Sequence, residues 1–217
     1  MITRFGFAPR KPDLTIAAFQ EHWRTSHARV VSQLAGLRRY WQNHAVLRDG
    51  EPLLPWPGFD ACAQIEADTL VDLDRAFLSP HYQGPVREDE RRFIDHTGFG
   101  MMLCERAHAE GRVDGTGVRL LTFMRLAPMR PPAALADALL GAPRAGLAQG
   151  REVYLALTGA AAAQRTSLFD AMEALWFSSE DEAERHVRSA KEREYRTRLA
   201  DSVRGCERLI ARVVAVI

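Results

Sequence analysis

The stretch GFDACAQI at residues 58–65 alternates apolar and polar side chains, and a close copy of it, LFDAMEAL, occupies residues 168–175. Alternation with a period of two is typical of a β-strand that has one face in a hydrophobic core. The match continues without a gap, since Arg75 aligns with Arg185 and Ser79 with Ser189. The chain is therefore predicted to contain two copies of one structural unit.

The composition is that of an ordinary globular protein. The 217 residues, 47% of them hydrophobic, are sufficient for two small units that share a core. The 29 basic and 28 acidic residues nearly cancel, which argues against a nucleic-acid partner. The three cysteines lack the spacing of a disulfide framework or a zinc site, as expected in a reducing cytoplasm. Because neither a signal-peptide layout nor an apolar run of roughly 20 residues occurs, we expect a soluble cytoplasmic protein without a membrane partner.

Each unit is predicted to have the order strand, helix, strand, strand, helix, strand. For the first unit, domain 1–108, we predict strand 2–8, a helix from Asp13 or Thr15 to Gly36, strand 37–46, strand 59–67, helix 69–78, an irregular charged stretch to 92, and strand 98–105. Residues 109–116 are predicted to be a linker. For the second unit, domain 117–217, we predict strand 118–126, helix 132–147, strand 151–157, strand 168–177, helix 180–199 and strand 209–217, with the alanines 160–163 in a loop or helical turn.

A unit of this kind forms a four-stranded antiparallel sheet with its helices on one face, which leaves the other face bare. Two units can bury their bare faces together. We therefore predict an α+β fold in which both sheets close, or nearly close, into one barrel with the helices outside. A pocket would lie between the sheets or between a sheet and the first helix.

The first helix contains the leading candidate for catalysis. Trp23 belongs to an apolar stripe at helical spacing, and His27 follows it by four residues, so His27 is expected to point inward. An imidazole there could act as a general acid or base near neutral pH, or it could simply bond a backbone carbonyl. His22, five residues before His27, is expected on a different face, in a solvated or structural role. The equivalent helix of the second unit contains no histidine.

The second strand offers two candidate pocket faces. Tyr40, Gln42 and His44 share one face, while Trp41 and Asn43 share the other, and either set could line the pocket. Tyr40 could hold an enolate or phenolate oxygen by a hydrogen bond. The alternative is a buried aromatic cluster with its polar atoms satisfied.

The third strand is expected to turn polar side chains toward the barrel interior. Asp60, Cys62, Gln64 and Glu66 alternate with apolar residues, whereas most aligned positions in the second unit are apolar. A cavity with one polar and one apolar wall suits a small aromatic or polyketide-like molecule. Asp60 and Glu66 could instead reach solvent at the barrel rims. The residues predicted to bind substrate are Trp23, Trp41, Asn43, Asp60, Cys62, Gln64, Asp95 and Trp176, beside the predicted catalytic pair His27 and Tyr40.

The stretches FQEHWRTSHARVV (19–31) and LAGLRRY (34–40) resemble the EthD family of the dimeric α/β-barrel superfamily. Asp89, Phe93 and Asp95 resemble the acidic tail of the family pattern. The resemblance implies two ferredoxin-like (βαββαβ) units. Because family members are usually small homodimers, it also implies that this chain is a pseudo-dimer made covalent, which could itself form a homodimer. If the histidine of the family is needed for chemistry, only one of the two equivalent sites should work.

By the same resemblance, the expected function is that of a cofactor-independent lyase, dehydratase, cyclase or isomerase. Its substrate would be a small hydrophobic carbonyl or aromatic metabolite, on which His27 moves a proton. No metal or cofactor motif occurs in the sequence, so none is expected. Two alternatives stay open: a non-catalytic binding or accessory protein of a catabolic or oxygenase pathway, and a haem or oxidoreductase-type barrel, since related barrels bind haem through a histidine.

Overall fold

The computed structural model describes residues 1–56, 58–141, 148–159 and 167–217. The first half contains β1 (Ile2–Ala8), α1 (Ile16–His22), α2 (Ala28–Val31), β2 (Arg39–Ala45), β3 (Leu47–Arg48), β4 (Glu51–Pro52), β5 (Ala61–Ala67), α3 (Leu70–Leu78), α4 (Arg87–Phe93) and β6 (Gly100–Gly111). The second half contains β7 (Val118–Leu126), α5 (Pro132–Leu140), β8 (Gly150–Ala156), β9 (Ala171–Phe177), α6 (Glu180–Arg188), α7 (Ala190–Leu199) and β10 (Val203–Ala215). Two π-helical turns, Trp23–His27 and Tyr82–Val86, lead directly into α2 and α4.

Eight antiparallel strands form one closed barrel in the order β1-β5-β2-β10-β7-β9-β8-β6. The first half supplies β6-β1-β5-β2 and the second half β10-β7-β9-β8, and the pairs β2–β10 and β6–β8 join them. Closure pairs each barrel strand on both sides, as a stable barrel requires. The predicted α+β class and the closed barrel are confirmed.

The strand alternation predicted from residues 59–67 determines which side chains enter the barrel. In β5, Cys62 and Gln64 point inward, while Ala63 and Ile65 pack toward the helices. One end of the interior is an aromatic cluster from both halves, in which the ring of Phe5 lies 5.5 Å from Phe123 and 5.3 Å from Tyr154. These contacts, rather than an open chamber, occupy that end of the barrel.

A polar network fills the rest of the interior. The fully buried Arg119 donates from one terminal nitrogen to Asn43 Oδ1 at 2.9 Å and to Gln64 Oε1 at 2.8 Å. Its other terminal nitrogen lies 3.3 Å from Glu152, which also accepts from Trp176 at 3.0 Å. Burial opposes the charge on Glu152, but the neighbouring Arg119 charge and these hydrogen bonds outweigh it and lower the pKa of the carboxyl. The buried charges are thus compensated.

Several element boundaries differ from the sequence predictions. The prediction of an irregular charged stretch up to residue 92 was wrong, because residues 82–93 form the second π-helical turn and α4. The acidic first turn and the basic last turn of α4 complement the helix dipole. The predicted helix 180–199 is two helices, since Ser189 is extended and caps α7. Strand β6 continues to Gly111, into the predicted linker 109–116. Helix α5 ends at Leu140, and residues 142–147 and the alanines 160–163 lie outside the described residues.

In the described part of the chain, none of the helices combines the length and apolarity needed to cross a bilayer.

Candidate functional site

The first helix brings two histidines to the same side. Thr15 is its N-cap, with Oγ1 accepting from the amide of Ala18 at 3.1 Å. In a regular α-helix His22 and His27 would be separated by about 140°. The intervening π-helical turn, whose hydrogen bonds run from i to i+5, stacks residues five apart instead. The expectation that His22 projects from a different face was therefore wrong.

Asp89 of α4 lies between these two histidines. Its carboxylate accepts from Nδ1 of His27 at 2.9 Å and from Nε2 of His22 at 3.0 Å. The side chains of His27 and Asp89 are buried, whereas that of His22 is 27% exposed. Burial alone would raise the pKa of Asp89, but the hydrogen bonds and charges of the two histidines hold it below its ordinary value. Asp89 is therefore an anion that fixes the His27 ring and leaves Nε2 as the free nitrogen.

His27 and Tyr40 line a cavity of about 60 Å³ between the outer face of β1 and β5 and the helices of the first half. Their ring centroids are 6.5 Å apart. The walls are mostly apolar, with Arg4 and Glu90 as the charged members, and Phe77, Tyr82 and Phe99 complete the lining. Of the two pocket positions expected from the sequence, the structure contains the one between sheet and first helix.

Tyr40 is arranged as a hydrogen-bond donor toward this cavity. Its hydroxyl oxygen accepts from Nε1 of Trp23 at 2.9 Å and from Nε2 of Gln42 at 3.3 Å. Within the described part of the chain, no acceptor for the Tyr40 proton occurs. Burial raises the pKa of Tyr40 well above its ordinary value, so the hydroxyl stays protonated. The face of β2 with Tyr40, Gln42 and His44 is thus the one turned to the cavity side.

The predicted substrate-binding residues do not lie in one place. Trp23 lines the cavity beside His27. Inside the barrel, on the opposite side of the sheet, the structure places Trp41, Asn43, Cys62, Gln64 and Trp176. The carboxylate of Asp60 accepts from the guanidinium of Arg10, just after β1, at 2.6 Å. Asp95 caps a short 3₁₀ turn at the surface.

Asp89 is the residue that spacing analysis missed, because it is 62 residues from His27 in a stretch predicted to be irregular. Its place in the acidic tail of the family pattern was the available signal. Among the described residues, no group of three or more His, Cys, Asp and Glu side chains is arranged to bind a metal ion.

The chain is thus a closed eight-stranded α/β barrel with external helices, and a buried histidine–aspartate pair lies beside a cavity in its first half. Residues 11–97, in the first half of the chain, match the model of the EthD domain family. The matched range contains His22, His27, Tyr40 and Asp89. No curated protein matches the chain.

Solved structures share the whole fold at low identity. An anthrone oxidase-like protein is 12% identical with a TM-score of 0.67, covering 99% of this chain and 93% of its own. A proposed monooxygenase from Fusobacterium nucleatum is 9% identical with a TM-score of 0.59, covering 98% and 91%. Another from Lactobacillus acidophilus is 10% identical with a TM-score of 0.56, covering 100% and 94%. At this identity the likeness shows the fold.

Proposed function

We propose that the first half of the chain is a small-molecule enzyme site in which His27 transfers a proton without a cofactor. One observation carries the proposal: Asp89 binds Nδ1 of His27 and leaves Nε2 as a base on a cavity that Tyr40 also lines. The reaction is of the lyase, dehydratase, cyclase or isomerase type. Its substrate is a small hydrophobic carbonyl or aromatic metabolite.

His27, Asp89 and Tyr40 have different roles in the proposed proton transfer. Nε2 of His27 takes a proton from the carbon next to a carbonyl, and Asp89 stabilises the resulting imidazolium. The hydroxyl of Tyr40 donates a hydrogen bond to the enolate oxygen. Returning the proton to another atom completes an isomerisation, and loss of a leaving group completes an elimination.

The size and walls of the cavity restrict the substrate. A volume of about 60 Å³ is far below the ~300 Å³ of a typical ligand site. An aromatic substrate therefore requires outward rotation of rings at the cavity, and Phe99, 44% exposed, is the ring best placed to move.

We also propose that the chain is a tandem duplication, supported by the equal strand order of its halves and the matching stretches 58–65 and 168–175. Three free cysteines agree with a reducing cytoplasm.

A second candidate function is that of an oxygenase, because two neighbours are named as proposed monooxygenases and a third as anthrone oxidase-like. Deprotonation by His27 would also serve such a reaction.

The test is deuterium exchange into a panel of small aryl ketones in heavy water, followed by proton NMR. The protein should accelerate exchange next to the carbonyl of at least one compound, and His27→Ala should reduce that rate by about 10²- to 10⁴-fold. His96→Ala, which alters an exposed histidine, is the matched control. An undiminished rate in His27→Ala would eliminate the base, and binding of the panel without any exchange would favour a non-catalytic binding protein.

A further inference from the structure

The second half has a cavity of its own in the equivalent place. It measures about 590 Å³ and lies between α7 and the outer face of β7, β9 and β10. Ile2 pairs with Ala67, as Val118 pairs with Phe177, so Leu120, Thr122 and Met124 take the positions that Arg4, Gly6 and Ala8 take beside His27. The chemistry of the two cavities is nevertheless different.

Two acidic side chains, Glu173 and Glu192, line this cavity, and each has a basic partner. Glu173 accepts from Nε of Arg151 at 2.7 Å and from the hydroxyl of Tyr195 at 2.9 Å. Glu192 accepts from Arg208 at 2.7 Å and from His186 at 3.1 Å. Both carboxylates are therefore compensated from within the protein and add little net negative charge.

The cavity mouth is positively charged. Arg193, Arg196 and Arg204 line it and are exposed, and in the described ranges none of the three has a carboxylate within ion-pair distance. Beneath α7, the buried Nε of Arg208 is likewise without an acceptor among the described residues. A surplus of cationic donors at the mouth of a cavity attracts anions.

The deeper wall is apolar. Leu120, Met124 and Leu175 from the sheet line it together with Leu199 of α7 and Val203 at the start of β10. The volume lies within the range of about 300–1,000 Å³ that is usual for small-molecule sites.

We infer that this cavity binds a small amphipathic organic anion. Its apolar body lies against Leu120, Met124 and Leu175, and its acidic group lies at Arg193, Arg196 and Arg204. This site is separate from the proposed His27 site, lies outside residues 11–97, and holds its ligand independently of proton transfer.

The test is a fluorescence titration of the whole chain with 8-anilinonaphthalene-1-sulfonate, an anionic aromatic probe. N-phenyl-1-naphthylamine, which has the same rings without the charge, is the reference. Saturable binding of the anionic probe should weaken in high salt, whereas binding of the neutral probe should not. Replacing Arg196 and Arg204 together by Gln should raise the Kd of the anionic probe about tenfold, since each exposed charge contributes a few-fold.

Arg198→Gln is the matched control, because Arg198 lies on α7 but pairs with Glu194 and does not line the cavity. Thr122→Phe should abolish binding by filling the cavity. The inference is overturned if the anionic probe does not bind, if salt leaves its binding unchanged, or if the double variant binds it as tightly as Arg198→Gln. The salt comparison uses the unaltered chain, so it decides the question even if a variant does not fold.

Discussion

At the scale of residues, a single carboxylate organises the candidate site. Asp89 binds both His22 and His27, and it is held ionised by them although it is largely buried. Helical spacing in the sequence was sufficient to place His27 on the inner face of its helix. It was not sufficient to find Asp89, since a partner 62 residues away is determined by tertiary packing.

His44, on β2, is linked through Gln42 to the hydroxyl of Tyr40. Its Nε2 donates to Oε1 of Gln42 at 2.8 Å, and Gln42 in turn donates to the hydroxyl of Tyr40. Burial, with a smaller contribution from the charge of Arg24, lowers the pKa of His44 from 6.5 to about 4.

This pKa predicts a specific acid sensitivity. Between pH 6.5 and about 4, His44 binds a proton in the unfolded chain but resists protonation in the folded one. The free energy of unfolding should therefore decrease as the pH is lowered from 6.5 to about 4, by up to about 3 kcal/mol. His44→Gln should remove that part of the pH dependence, measured by urea unfolding at several pH values. His96→Gln is the exposed control, and identical slopes in the two variants would refute the prediction.

At the scale of elements, the π-helical turn at Trp23–His27 places His22 and His27 on the same side of the helix, where both bind Asp89. Strands were predictable from alternation, and Thr15 was one of the two cap residues expected for the first helix. The π-helical turn was not predictable, because periodicity analysis assumes 3.6 residues per turn. Helix α4 was missed because of its seven residues only Asp89 and Phe93 are buried, too few to show an apolar stripe.

The start of the histidine-bearing helix gives a test of local stability. Thr15→Ala removes the N-cap acceptor for the amide of Ala18 and should lower the free energy of unfolding by about 1 kcal/mol. Thr25→Ala, in the π-helical turn that follows α1, removes only an exposed hydrogen bond to the carbonyl of Glu21 and should change it by less than about 0.5 kcal/mol. Equal losses in urea unfolding would show that the cap is not the source of the effect.

At the scale of the whole molecule, the two halves form one barrel. Two strand pairs join them, and their aromatic side chains meet inside, as where Trp41 lies 5.8 Å from Trp176. The closed barrel followed from the bare faces that each predicted sheet would leave. The packed interior did not, because the sequence does not show that Arg119 reaches across to Asn43 and Gln64.

Cutting the chain between β6 and β7 tests this account of the barrel. A protease site inserted within residues 112–117 should give two fragments that elute together in size-exclusion chromatography. They should separate only in denaturant, because each half alone exposes two unpaired strand edges and the aromatic interior. Elution of the fragments as separate folded monomers would show that the halves do not depend on each other.

The central claim, that Asp89 leaves Nε2 of His27 as the base in the cavity, is tested most directly by nitrogen-15 NMR of the histidine rings. With the imidazole neutral, the account predicts that His27 carries its proton on Nδ1, and that Asp89→Asn changes this tautomer balance while the exposed His96 keeps its own. A His27 ring protonated on Nε2 in the unaltered protein would contradict it.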